Sequence, residues 1–415
     1  MTRRSAPHGL RQGFTTGSAA AAAAKAALSF LLTGEVPAVA DIPLPPGGRL
    51  AVPVESVVAV REEDTSRGVS TRSPDAREGA GCAPCRSARA TVVKDAGDDP
   101  DATHGAHIST LATLWPGGGP DAYLPEGSAR SSPGQGRVDI EGGSGVGRVT
   151  LPGLPVPVGM AAINPVPLAQ IERAAREALE ASGESGRVRL VIEVENGLAL
   201  ARNTLNPRLG VVGGISILGT QGIVKPFSLE AWKATIDSGL EVARASGTAT
   251  AALSTGRRGE RLLMARRPDL PELAFVQAAD FFAYATQRAV GLGFTEIVWG
   301  CFFGKLVKMA QGLPSTHAHA APTDFAALAE LAGLAGADGG VRQEVARANT
   351  ARHALEIVPG GLVRERFAAL TAAKALEAAQ RFAGEAPGPG AVPGIRMGVC
   401  CFGFEGGVLA EAYFS

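Results

Sequence analysis

The sequence predicts an α+β N-terminal domain, built as a layered sandwich, over residues 1–228, and a Rossmann-like α/β C-terminal domain with a mainly parallel sheet over residues 229–415. Three observations carry this reading. From Leu229 onward, β-type apolar runs alternate regularly with helix-type segments, the pattern left by a parallel sheet with crossover helices. Before Leu229, strands and helices mix without strict alternation. At the boundary lies Thr204–Ser228, TLNPRLGVVGGISILGTQGIVKPFS, where Gly210, Gly213, Gly214, Gly219 and Gly222 surround two short β-branched runs. Glycine lacks a Cβ, so such a segment lets backbone N–H groups lie against an anionic or adenosine-like ligand. It reads equally as a β-meander with glycine turns.

The elements follow in order. Ser18–Leu32 is rich in alanine and leucine, stops at Gly34 and Pro37, and has Thr15 or Thr16 to cap its first turn, which predicts a helix. Leu50–Val60 alternates as a strand, and residues 61–89, rich in charge, serine and glycine, read as a poorly specified connection. Ala90–Val93, Ile108–Leu114 and Val188–Val194 are further strands, and Pro167–Ser182 carries a helical apolar stripe. The glycines of Gly142–Gly147 read as a hairpin turn ahead of a ligand loop. In the second half, strands are expected at Thr248–Leu253, Phe275–Ala278, Glu296–Gly300 and Gly394–Phe404. Helices are expected from Gly256 through Arg266 and at Phe281–Leu292, Gly304–Gly312, Phe325–Ala335, Val341–Asn349 and Leu362–Phe382, with a loop at residues 387–390.

Size and composition bound the function. With 415 residues, 45% of them hydrophobic, the chain is long enough for two or three cored domains. Forty basic and forty acidic residues cancel, so no global field draws nucleic acid or an acidic membrane surface. No apolar run reaches the roughly 20 residues of a membrane span. Five scattered cysteines point to a reducing cytoplasm rather than a disulfide scaffold. Arg3-Arg4, the alanine run and Ala38-Val39-Ala40 imitate an export signal, but Lys25 interrupts the apolar region, so the segment is read as part of the fold.

Five blocks in order resemble the CbiD family, the cobalt-precorrin-5B C1-methyltransferases of cobalamin biosynthesis. They are LRQGFTTGSAAAAAAKAAL (Leu10–Leu28), VVKDAGDDPDATHGA (Val92–Ala106), GSGVGRVTLPGLPVPVGMAAINPVP (Gly143–Pro167), the Thr204–Ser228 segment and GKLVKMAQGLPSTHAHAA (Gly304–Ala321). The chain departs from the family pattern at Ser18-Ala19, where a Thr-Cys pair is usual, at Cys301-Phe302-Phe303 and at Ser315. The resemblance implies methylation of C1 of cobalt-precorrin-5B to give cobalt-precorrin-6A, with S-adenosylmethionine as donor and a tetrapyrrole as substrate. From the residues themselves, no metal beyond the substrate's cobalt and no nucleic-acid or membrane partner are expected, and a homo-oligomer is allowed.

Candidate site residues follow. Methyl transfer needs the two reactants aligned in a dry site, work done by backbone and apolar surface. The cofactor is expected on Gly213, Gly214, Ser216, Gly219, Thr220 and Gly222, and on the turns at Thr255, Gly256 and Gly304. These turns would place helix N-termini at the carboxyl edge of the parallel sheet. A carboxylate-fringed macrocycle needs spread cations, so Arg208, Lys225 and Lys305 are expected to hold substrate with Thr15 and Thr16. Arg257, Arg258 and Lys308 lie in or beside the same blocks.

Asp98, His104 and His317 are the candidate proton handlers, with His319 close to the last. Asp95, Asp98, Asp99, Asp101 and His104 read as Asx turns and caps rather than as a metal site. Cys82 and Cys85 form a lone CxxC, short of a zinc set, and Cys400-Cys401 should face opposite sides of a strand. Two other functions suit the residues. Thr15–Ala20 resembles a phosphate-cradling loop, which suggests a small-molecule kinase, and a tetrapyrrole carrier would bind the macrocycle without the donor.

Overall fold

The computed structural model describes residues 9–60, 86–116, 129–130, 137–317, 321–386 and 394–414. The chain forms two compact units, Met1–Ser228 and Leu229–Ser415.

The first unit runs β1 (Gly13–Phe14), α1 (Thr16–Thr33), β2 (Val39–Pro43), β3 (Arg49–Pro53), β4 (Ser56–Val60), β5 (Arg86–Val93), β6 (His107–Trp115), β7 (Ala129–Arg130) and β8 (Val138–Gly142). It continues with β9 (Arg148–Val149), α2 (Pro165–Ser182), β10 (Arg187–Val194), α3 (Gly197–Ala201), β11 (Val211–Val212) and β12 (Ile223–Val224). The main sheet has the order β4-β5-β6-β10-β8-β7 and is antiparallel except between β10 and β8. Alternation decides its faces. Ala88, Ala90, Val92, Ile108, Ala112, Val188, Leu190 and Ile192 are buried in one core with α1 and α2. Across the other face, Ser87 bonds Thr113, Thr91 bonds Ser109, and Arg89 pairs with Glu193. An antiparallel sheet covered on one side leaves this record.

Helix α1 owes its place to alanine. Ala19–Ala24 are fully buried, and side chains of one carbon let the helix lie close to the sheet and to α2 together. Thr15 caps its first turn by accepting from the Ser18 N–H, and Gly34 ends it at φ 79°. The strand expected over Leu50–Val60 is two strands. Pro53 cannot extend a ladder, and the chain passes from β2, which pairs β3, to β5, which pairs β4. Part of the expected connection, Arg86–Arg89, is the start of β5; residues 61–85, with Cys82 and Cys85, lie outside the described residues.

The second unit runs α4 (Leu229–Ala245), β13 (Thr250–Ser254), α5 (Arg257–Arg266), β14 (Phe275–Gln277), α6 (Phe282–Gly291), β15 (Glu296–Phe302) and α7 (Phe303–Ala310). Then come α8 (Phe325–Leu334), α9 (Gly339–Ala346), α10 (Ala351–Ile357), α11 (Leu362–Gly384), β16 (Arg396–Phe402) and β17 (Val408–Phe414). Its sheet has the order β14-β13-β15-β16-β17, parallel apart from the closing β17. Helix α5 packs on one face through Leu263 with Ala252, Phe275, Val298 and Cys400. The larger core on the other face holds Leu253, Trp299, Cys301 and Cys401 against α4, α6, α7 and α11. Cys400 and Cys401 therefore do face opposite sides. The sequence reading missed α4, α10 and β17. Ser254, expected in a turn, is the last residue of β13.

Candidate functional site

In the first unit, four sequence blocks converge on the N-terminus of α1. β1 pairs with β12, joining Gly13 to Val224 and Phe14 to Ile223. Gln12 bridges Gly97, and the Phe14 N–H donates to the Asp95 carbonyl at 2.8 Å. Val146 bridges Ile215 and Ile163 bridges Ile217, which adds the Gly143–Pro167 block.

Many glycines here serve contact between backbones. A Cβ on Gly214 would lie 2.0 Å from the Gly145 carbonyl oxygen, and one on Gly145 would lie 1.9 Å from that of Val194. The Gly142–Gly147 run is thus a packing loop and not the expected hairpin turn, since β8 and β9 belong to different sheets. Gly219 fits against Thr15, and Gly222 against Leu44 and Ser18. Ser216 donates to Asn206 Oδ1 at 3.3 Å. Gly213 and Thr220 are exposed, and a Cβ on Gly213, which has φ 90°, would meet nothing within 4 Å. These two offer open backbone in the segment.

Thr15 and Thr16 are placed otherwise than expected of substrate ligands. Both are buried, the first capping α1 and the second bonding the Leu218 N–H at 2.9 Å. The Gly17 N–H donates to the Leu218 carbonyl at 3.1 Å and the Ser18 N–H to Thr15 Oγ1 at 3.1 Å. These donors are turned inward, which removes the phosphate cradle on which the kinase reading stood. Arg208 is half-buried in the turn Asn206–Leu209, and Lys225 is exposed just after β12.

The acidic block is built of turns. Asp98 Oδ2 accepts the Arg11 N–H at 2.7 Å, Asp99 Oδ1 accepts that of Phe227 at 3.0 Å, and His104 Nδ1 accepts that of Ala96 at 3.1 Å. The Arg11 guanidinium, bonded to Asp95, holds that carboxyl below the usual range. Lys94, only 2% exposed, pairs with Asp101 at 2.7 Å. Burial works to raise the Asp101 carboxyl, but Lys94 and Thr103 outweigh it and leave the group below its ordinary value. Asp98 and His104 remain exposed at this corner.

In the second unit, Thr255, Gly256, Gly304 and Lys305 come together in one cleft of about 490 Å³ beyond the carboxyl ends of β13 and β15. The N-termini of α5 and α7 open into it, at Arg257-Arg258-Gly259 and at Gly304. Arg258 donates to the Phe404 carbonyl and stacks over Phe302 at 5.2 Å and over Phe404 at 5.8 Å. Arg352 lies 4.4 Å from the centre of the Phe404 ring.

Lys305 is spoken for within the fold. It pairs with Asp280 and donates to the Thr316 carbonyl at 3.1 Å, while the Thr316 hydroxyl donates to Asp280 at 2.7 Å. Lys308 donates to the carbonyls of His317 at 2.9 Å and Ala321 at 2.8 Å. His317 is exposed in that loop, and His319 lies outside the described residues.

Phe404, Thr350 and Arg352 were missed by the sequence reading. One signal was present for Phe404, which follows the end of a parallel strand as the other turns of the cleft do. Thr350, which caps α10 by accepting from the His353 N–H at 3.0 Å, marks a helix start that periodicity alone had hidden.

Comparison with known proteins agrees with the sequence blocks. A family profile described as CbiD matches residues 3–226, and one described as CbiD, C-terminal domain, matches residues 315–413. A curated protein of Nitratidesulfovibrio vulgaris named cobalt-precorrin-5B C(1)-methyltransferase is 48% identical over 97% of this chain and 93% of its own length. One of the same name from Geobacillus kaustophilus is 44% identical over 82% of this chain and 81% of its own. A crystal structure of cobalamin biosynthesis protein (cbiD) from Archaeoglobus fulgidus shares 24% identity over 74% of this chain and 81% of that one, with a TM-score of 0.35. The chain belongs to the CbiD family. Among the described residues, no helix is long and apolar enough to cross a membrane.

Proposed function

We propose that this protein methylates C1 of cobalt-precorrin-5B with S-adenosylmethionine as donor, giving cobalt-precorrin-6A in corrin-ring assembly in the cytoplasm. The observation that carries this is the match along nearly the whole chain to a relative bearing that name. The donor supplies an electrophilic methyl that passes to C1 as the carbon–sulfur bond breaks and S-adenosylhomocysteine leaves. What the chain contributes is alignment and exclusion of water.

The donor is a sulfonium cation, so its place must not be positively charged. The corner at the start of α1 fits this requirement: its open backbone at Gly213 and Thr220 belongs to the segment whose Phe227 N–H is accepted by Asp99, next to Asp98. We assign the donor to this corner and Asp98 and His104 to proton handling beside it, and we read the C-terminal unit as Rossmann-like in its fold alone.

The test is a mass measurement on tetrapyrrole incubated with the protein and donor. Gain of one methyl is expected. Hydrolysis of ATP without methylation would revive the kinase reading, and macrocycle binding with no methyl gain would favour the carrier. Asp98→Asn keeps an oxygen for the Arg11 N–H, so turnover should fall while thermal stability holds. Unchanged turnover in both Asp98→Asn and His104→Ala would remove these residues from the chemistry.

A further inference from the structure

Resting on that reading of substrate and donor, we infer that the cleft of the C-terminal unit seats the carboxylates of the macrocycle and excludes the donor, with Arg257 and Arg352 as its anchors and Phe302 and Phe404 as its apolar wall. The charge balance of the cleft decides between the two ligands. Five basic side chains line it, Arg257, Arg258, Lys305, Lys308 and Arg352, and among the described residues no acidic one does. Lys305 is offset by Asp280, and Arg352 by Glu356 at 2.7 Å. Arg258 donates to the Phe404 carbonyl and Lys308 to those of His317 and Ala321, acceptors that carry no net charge. The Arg257 side chain is exposed and makes no hydrogen bond or ion pair among the described residues. Two helix N-termini add to the same sign of potential.

S-adenosylmethionine carries a sulfonium and an ammonium against one carboxylate, so it enters such a field as a net cation and is repelled. A tetrapyrrole fringed with carboxylates enters as a polyanion. Its ring face also finds a match, because Phe404 is more than half exposed and the Phe302 and Phe404 rings lie 5.8 Å apart. The guanidiniums suit carboxylates, which they grip with two parallel N–H groups. Thr255, Gly256 and Gly304 thereby pass from the donor, where the sequence had placed them, to the substrate.

The experiment measures equilibrium binding of uroporphyrin, its methyl ester and S-adenosylhomocysteine to wild-type protein and to Arg257→Gln and Arg352→Gln, with circular dichroism as the check on folding. Both positions are at the surface and neither supports the core. Each variant should bind the free-acid porphyrin about 10- to 150-fold more weakly, the loss of one charge-assisted contact. The affinity for S-adenosylhomocysteine should stay at the wild-type value, and the ester should bind wild-type protein far more weakly than the acid. Loss of S-adenosylhomocysteine affinity with porphyrin binding intact would overturn the inference, and so would an ester that binds as well as the acid. Wild-type methylation of cobalt-precorrin-5B with unchanged affinities in both variants would remove the inference alone. Wild-type protein that neither binds porphyrin nor methylates would remove the functional reading beneath it.

Discussion

The Thr16 hydroxyl accepts the Leu218 N–H at 2.9 Å, a contact that bridges 202 positions of sequence and fixes the glycine-rich segment to the first turn of α1. Thr16 is only 3% exposed, so its loss would leave polar backbone groups without a partner. Thr16→Val should cost about 1–3 kcal/mol in chemical denaturation, whereas Thr16→Ser should cost little. Equal stability of the two variants would show that the hydroxyl holds nothing.

Gly213 and Gly214 should respond differently to the same change. A methyl group on Gly214 meets the Gly145 carbonyl oxygen, and neither backbone can withdraw. Gly214→Ala should therefore lose about 1–3 kcal/mol or more. Gly213 has open space but φ 90°, so Gly213→Ala should lose about 1 kcal/mol. If the donor lies on the open backbone here, Gly213→Ala also weakens binding of S-adenosylhomocysteine in calorimetry. Retained affinity would move the donor elsewhere.

Lys305 should behave as a structural partner of Asp280. Removing it alone leaves a half-buried carboxylate facing the loop at Thr316. Lys305→Met should destabilise the protein more than the double variant with Asp280→Asn does. The double-mutant cycle should give a coupling of about 1 kcal/mol. No coupling, together with weaker substrate binding, would return Lys305 to the ligand.

The acid limb of stability should carry the mark of Glu177. This α2 carboxylate joins Arg49 of β3 at 2.9 Å and Lys25 of α1 at 2.7 Å. Arg49, and after it Lys25, hold the Glu177 carboxyl at about 2, below the 4.5 of a free side chain. The folded value is the lower one, so the stabilisation is complete above the unfolded value and is lost as pH falls toward the folded value. Glu177→Gln should be less stable than wild type by about 1 kcal/mol at neutral pH, a figure kept small because Arg49 is half exposed. The difference should vanish near pH 2. A gap independent of pH would point to packing instead.

Much of this was legible in the sequence, and particular residues show why. The capping threonines and Gly34 announced α1, and regular alternation announced the parallel sheet. The break at Pro53 was hidden because apolar residues continue on both sides of it, at Leu50, Val52, Val54, Val58 and Val60, and only the structure shows that the buried position changes parity, from Val52 in β3 to Val57 in β4. The meaning of the glycines was illegible for a deeper reason. Gly214 and Gly213 are neighbours in sequence, yet one is filled by another backbone and the other faces open space, and only the position of Gly145 tells them apart. Arg352 and Phe404 reach the cleft from segments far along the chain, where no local pattern ties them to Thr255.

The pairing of β1 with β12 has a consequence for how the chain is made. On the ribosome, α1 emerges before Leu218, whose carbonyl accepts the Gly17 N–H, and before the strand that holds β1, both of which come roughly 200 residues later. At about 5–20 residues per second, the alanine helix waits on the order of 10 seconds or more without the lid it needs. Its alanines, the residues of highest helix propensity, favour the helical form of that segment during the wait. A chain stopped at Asn203 would stay in this waiting state, open to protease, and release of the segment through Ser228 would mark the moment at which the N-terminal unit closes.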